Sequence, residues 1–368
     1  MTARSSRSIW LALIIFLGSL SAYLLAWPVA VEPVGWQAPA DNGYVKEFQV
    51  NAHLSRAQAL ALGPYSGPEA AVFDRQGQLW VSTHEGWLLR SLDAGETFES
   101  VVNTGGRPLG LAVDHQNRLL IADAYLGLMR YSDAQGLESL VTQFNGRVLG
   151  YVNDVAQADS GAIYFTDSSS KFHAKPHGGT YAASLLDIME HGGHGRLFRY
   201  LPSSGELTQV VDGLNFANGV ATLPSSSGQA DRVVVVETGA YRIWQYLINN
   251  GTVKEREVIR DNLPGFPDNI ARAPDGHLWL GLVSPRSAIL DRLSNKPWLR
   301  RMVQRLPAFI RPKAQHYGMI VKLGAEGEVL QQLQDPTGQF YTTTGVAESD
   351  TYLVVSRLHG TALLRIKK

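Results

Sequence analysis

No cysteine occurs in this 368-residue chain. Its absence excludes disulfides, thiol nucleophiles and thiolate zinc sites, so any bound metal must be held by oxygen or imidazole. It is compatible with an oxidising compartment without requiring one. An excess of charge is missing too: 33 Lys and Arg balance 33 Asp and Glu, so no basic footprint points to nucleic acid and no single-sign field points to a charged partner. A phosphate loop is also lacking. Residues 103–106 read NTGG, but no GxxxxGK between a strand and a helix accompanies them.

Long apolar runs are nearly absent, with one exception. Residues 9–27 (IWLALIIFLGSLSAYLLAW) carry no charge and follow Arg4 and Arg7; the run is about the length a helix needs to cross a bilayer. Positive charge on its N-terminal side predicts a cytoplasmic tail over residues 1–8, with the rest of the chain on the extracytoplasmic side. The alternative is a cleaved signal peptide, whose apolar core is usually shorter, about 7–15 residues, and which needs a small-x-small site that is not evident before Pro28. Residues 28–42, with four Pro or Gly, read as a tether that lets the soluble part stand off the membrane.

From residue 43 onward one unit recurs: apolar strand, polar or Gly-containing turn, apolar strand, short loop, third strand. The strand–turn–strand cores occupy residues 71–83, 111–123, 155–167, 220–238, 270–282 and 346–357, and the third strands 87–91, 126–131, 195–200, 241–246, 318–323 and 362–366. Six antiparallel modules, each with a fourth strand in the segment leading to the next, predict an all-β chain, a six-bladed β-propeller over residues 43–368. The last copy ends with three strands at the C-terminus, so residues 44–50 (YVKEFQV) are expected to supply its outer strand. Residues 168–194 and 284–317 are insertions between second and third strands, which puts both over the face where the first strands begin.

The residues just ahead of each first strand break the repeat. Glu69, Asn153, Asn218 and Asp268 occupy equivalent positions in four copies, whereas the second copy has Leu109 and the sixth only threonines and Gly345. First strands of a propeller start near its axis, so two carboxylates and two amides converge there as an all-oxygen cage suited to Ca²⁺. Taken singly, each is also explained as a turn-capping residue. Asp154 and Asn269 are weaker candidates as a further ligand or as residues orienting the cage.

Histidines 173, 177, 191 and 194 lie in the first insertion and His316 in the second, where each reads either as a proton shuttle or as a solvent-facing lid residue. His84 and Glu85 end a second strand on the same face. In the second insertion, Trp298, Leu299, Met302, Val303 and Leu306 share a helical face, with Lys296, Arg300, Arg301 and Arg305 beside it. That pattern fits an interfacial helix or a lid packed on the propeller.

The segments GGRPLGLAVDHQNRLLIADAYLGLMRY, NDVAQADSGAIYFTDSSSKF, GRLFRYLPSSGELTQVVDGLNFANGVA and LPGFPDNIARAPDGHLWLGL resemble the strictosidine synthase-like family, in particular its membrane-anchored branch. More distantly the chain is similar to paraoxonases and to the gluconolactonase/senescence-marker group. The resemblance implies a calcium-dependent hydrolase whose ligands fall on Glu69, Asn153, Asn218, Asp268 and Asn269. Two departures accompany it. Leu109 stands where paraoxonases carry a histidine, and Thr344 stands near the glutamate that strictosidine synthases use for amine–aldehyde condensation.

These readings combine into an expectation: a membrane-anchored, Ca²⁺-dependent hydrolase of esters or lactones, with Glu69, Asn153, Asn218 and Asp268 on the metal and Asp268, assisted by Glu69 and Asn269, in catalysis. A non-catalytic ligand- or protein-binding propeller with a structural calcium is the alternative, and amine–aldehyde condensation a second one.

Overall fold

A computed structural model describes residues 2–224 and 230–368. The turn expected near residues 225–229 of the fourth copy lies outside the described residues, as do the side chains of residues 1–7, among them Arg4 and Arg7.

Six four-stranded antiparallel sheets form in chain order, and the chain is a six-bladed β-propeller. The innermost strands of blades 1 to 6 are Ala71–Phe73, Pro108–Val113, Val152–Gln157, Ala217–Leu223, Gly265–Arg272 and Thr343–Glu348. Each pairs outward with the next strand in sequence, so every blade is an up-and-down meander. Blades bury their faces on one another: Val234 and Val236 of blade 4 pack in one cluster with Ile270, Leu280 and Val321 of blade 5. Fully burying each such side chain contributes about 1.5–3 kcal/mol, and it is this contact that holds the ring together.

The ring closes differently from the expectation. Gln58–Ala61, not residues 44–50, is the outer strand of blade 6, pairing antiparallel with Ala362–Lys367 in the register Leu60 to Leu363. Residues 44–50 instead contain a 3₁₀ turn, Lys46–Phe48, with Lys46 at φ 53°. The turn drives Phe48 into the core between blades 4 and 5.

Among the described residues there are four α-helices: α1 (Thr2–Ala26), α2 (Thr180–Glu190) in the first insertion, and α3 (Ala288–Arg292) and α4 (Pro297–Arg305) in the second. Over Ser8–Ala26, α1 is long and apolar enough to span a membrane, and none of that stretch is buried in the protein. It fits a single-pass anchor.

The tether expected over residues 28–42 does not hang free. Val31 is fully buried with Phe172, Ala174 and Ala183. The Val34 amide donates to Glu190 O at 2.8 Å, and the Trp36 amide to Ser294 O at 3.1 Å. Trp36 stacks on His191 with centroids 4.0 Å apart. Arg300, itself buried, donates to Met189 O at 3.0 Å and to Val34 O. An extended segment whose backbone groups are satisfied by two lid helices is a strap, and it holds α1, α2 and α4 together.

Candidate active site

Five of the six inner strands share an irregularity. Their pairing with the second strand skips two residues: Leu109–Gly110, Asn153–Asp154, Asn218–Gly219, Asp268–Asn269 and Thr344–Gly345. Glu69–Ala70 occupies the same place immediately before the blade 1 strand. A bulge releases side chains from the alternation of the pleat and re-aims them. The positions that break the sequence repeat are therefore the bulge positions of the fold.

The second residue of each pair faces the neighbouring inner strand. A Cβ on Gly110 would lie 2.1 Å from Asp154 Oδ1, and one on Gly219 would lie 2.4 Å from Ile270 N. Glycine is needed there because two backbones meet. Asp154 uses this close packing structurally: its carboxylate accepts the amides of Val155 and of Val220 in the next blade, both at 2.9 Å. It is a clamp between blades 3 and 4, not a ligand facing the site.

The first residues of four pairs meet on one pocket floor. Glu69, Asn153, Asn218 and Asp268 all line a cleft with about 830 Å³ of empty space, joined by Leu109, Tyr151, Phe216 and Phe266. All four are buried. Asn218 Nδ2 donates to Asp268 Oδ1 at 2.6 Å and to Thr238 Oγ1 at 3.1 Å. Asn153 Nδ2 donates to Ser168 Oγ at 2.7 Å. Asn269 stands one residue back, where its Nδ2 donates to Glu69 Oε1 at 3.1 Å; it orients Glu69 and does not line the cleft. Each amide thus uses its nitrogen within the protein. Glu69 Oε2, Asn153 Oδ1, Asn218 Oδ1 and Asn269 Oδ1 have no hydrogen-bond partner.

Unpaired buried oxygens are costly, and here they coincide with an electrostatic deficit. Burial pushes the Glu69 carboxyl up to about 7 despite the charge of Arg107 and the Asn269 hydrogen bond. Asp268 is raised well above the carboxylate range by burial and then by the negative charge of Glu69. Arg107, buried and bonded weakly to Gly67 O, places a cation beside Glu69. Sequence reasoning passed over it because an arginine ahead of a strand reads as a surface charge. Among the described residues no group of three or more His, Cys, Asp or Glu comes together, so the donor set is carboxylate and amide oxygen. It fits a hard divalent cation such as Ca²⁺ and does not fit zinc.

The walls come from both insertions. Tyr181, Ser184, Leu185 and Ile188 present one face of α2, and Leu290, Pro312, Lys313 and Gln315 face them from the second insertion. Among the described residues no histidine lines the cleft. His191 ends α2 in the left-handed conformation and is stacked under the strap, where burial pushes its pKa down to about 3. His194 Nε2 lies 2.7 Å from Glu190 Oε1, His177 Nδ1 2.8 Å from His173 O, and His316 stacks on Tyr341. His84 and Glu85 also lie off the cleft; Glu85 accepts the Ser66 hydroxyl at 2.5 Å. Thr344, buried, donates to Glu69 O at 2.6 Å and so joins blade 6 to blade 1.

Comparison with known proteins agrees with this architecture. Residues 47–91 match the N-terminal strictosidine synthase-like model and residues 153–251 the strictosidine synthase model. Adipocyte plasma membrane-associated protein of Gallus gallus is 31% identical over 342 residues, covering 86% of this chain and 78% of the relative. STRICTOSIDINE SYNTHASE-LIKE 6 of Arabidopsis thaliana is 30% identical over 320 residues, covering 85% and 82%. Among solved structures, a gluconolactonase from Xanthomonas campestris superposes with a TM-score of 0.61 at 20% identity, covering 91% of this chain and 98% of its own. Regucalcin from Agrobacterium tumefaciens, a calcium-binding protein, gives 0.57 at 16% identity, covering 84% and 92%. These two share the fold. With 30–31% identity to these relatives over most of its length, this chain belongs to the strictosidine synthase-like family.

Proposed function

We propose that the chain is a membrane-anchored, calcium-dependent hydrolase of esters or lactones, its N-terminus cytoplasmic and its propeller on the extracytoplasmic side. One observation carries the reading: four buried residues from four blades, three of them with an unpartnered oxygen, form the floor of a cleft whose remaining lining is mostly apolar. Glu69, Asn153, Asn218 and Asp268 would hold Ca²⁺, which when bound supplies a Lewis acid for a substrate carbonyl.

The protein's own groups do the rest. Phe216, Phe266, Leu185 and Ile188 exclude water and accept an acyl chain. Asn218 fixes the Asp268 carboxylate at 2.6 Å, so Asp268 has a set direction from which to attack or to draw a proton from water. Asn269 holds Glu69 in place.

The test is hydrolysis of phenyl acetate and a lactone panel by the full chain in detergent, with and without chelator. Chelator-sensitive turnover lost in Asp268→Ala supports the proposal. No turnover, together with calcium-dependent melting, supports the second reading, a ligand-binding propeller, which the lack of any imidazole in the cleft favours. Amine–aldehyde condensation is not favoured, because Thr344 has its hydroxyl engaged with Glu69 O and lies off the cleft.

A further inference from the structure

The lid carries apolar side chains that nothing in the protein covers. Trp298 is 60% exposed, Phe309 80%, Ile310 56% and Ile289 55%. They do not belong to the cleft. The helical face expected over 298–306 splits in two: Val303 packs toward Phe172 and Met189 beneath, while Trp298 points away from the protein.

Three observations say what covers this surface. First, α1 ends on α4. Arg305 Nη1 donates to Leu24 O at 2.8 Å and its Nε to Trp27 O at 2.5 Å, capping the last turn of α1, and Tyr23 Oη donates to Arg305 O at 2.9 Å. Second, the strap removes the slack that would let the propeller swing away from the end of α1. A bilayer crossed by α1 must therefore come within reach of α4. Third, the charge is one-sided: residues 288–315 carry seven Lys or Arg and one Asp; Arg300 and Arg305 are buried, which leaves Arg292, Lys296, Arg301, Arg311 and Lys313 at the surface, and the one Asp, Asp291, is paired with Arg286 at 3.0 Å. Apolar side chains with a basic surround suit the headgroup–acyl boundary of an anionic leaflet.

We infer that the lid face formed by α3, α4 and residues 307–311 is a second membrane contact, seated on the anionic surface of the same bilayer that α1 crosses. Pro312, Lys313 and Gln315, which follow directly, line the cleft, so the mouth of the cleft opens at the membrane surface.

The absence of native cysteine makes the test direct. Single-cysteine variants Trp298→Cys, Phe309→Cys and Leu92→Cys of the full chain are spin-labelled and reconstituted into vesicles of phosphatidylcholine with phosphatidylserine. Leu92, 69% exposed, lies in the turn after the third strand of blade 1, on the opposite face. Labels at 298 and 309 are expected to collide several-fold more with lipid-dissolved oxygen, relative to an aqueous nickel chelate, than the label at 92. Labels at 298 and 309 as open to the chelate as the one at 92 would overturn the inference. Labels shielded from both reagents, as a protein partner or a second copy would shield them, would overturn it too. The readout does not depend on hydrolysis, so it stands or fails apart from the proposed activity.

Discussion

Asn218 Nδ2 and Asp268 Oδ1 meet at 2.6 Å across the junction of blades 4 and 5. The contact fixes which end of the amide faces the protein and leaves Asn218 Oδ1 without a partner. One bond thus positions two oxygens, the free amide oxygen and the second carboxylate oxygen of Asp268, over the same cleft.

If these oxygens hold Ca²⁺, the full chain should melt higher in calcium than in chelator. At a free concentration 100 times Kd the linkage is about 2.7 kcal/mol, a rise of several degrees for a domain of this size. Asn218→Ala and Glu69→Gln should each shrink the rise. Calcium titrations followed by thermal melting check this, and an undiminished rise in both variants removes the cage.

Asp187 gives a pH prediction away from the proposed metal site. It lies fully buried on α2 beside Ser169, and burial pushes its carboxyl up to about 7. Because the folded value lies above the unfolded one, the folded chain keeps a proton that the unfolded chain has released between about pH 4 and 7. Stability is unaffected below that window and falls as pH rises through it. Asp187→Asn should be close to neutral at pH 4 and stabilising at pH 8, with a ceiling of about 4 kcal/mol. Urea denaturation of the detergent-solubilised chain at both pH values measures the difference.

Ring closure separates two segments of similar sequence character. Leu60 is buried in the cluster with Leu79 and Leu363, whereas Val45 is half exposed. Leu60→Asp should destabilise by about 3 kcal/mol or more and Val45→Asp by less than about 0.5 kcal/mol. Equal effects in chemical denaturation would contradict Gln58–Ala61 as the closing strand.

The strap should be measurable by proteolysis. Trp36→Ala removes the stack on His191 at a cost of about 2–4 kcal/mol, and Arg300→Met leaves Met189 O and Val34 O without their donor. Both variants should be cut within residues 28–42 faster than the wild-type chain, with the propeller left intact. Unchanged protection would mean that other contacts hold the segment.

The sequence by itself determined the architecture and the floor of the site. Strand periodicity repeated six times leaves few ways to bury every sheet, and residues that depart from a repeat at one equivalent position must share one place in a closed ring. Glu69, Asn153, Asn218 and Asp268 were legible for that reason, and so was Leu109 as the apolar member of the ring. What only the tertiary structure decided were the pairings that local pattern does not encode. Residues 44–50 were expected to close blade 6 and Gln58–Ala61 does so instead, because the pairing rests on register against residues about 300 positions away, at the far end of the chain. Asp154, a weaker candidate for a further ligand or an orienting residue, is held between blades by the approach of Gly110 and the Val220 amide. Residues 28–42 read as a tether because Pro and Gly deny them a regular element. Their order comes from backbone hydrogen bonds to Glu190 and Ser294, and those partners exist only once both insertions have folded over the cleft.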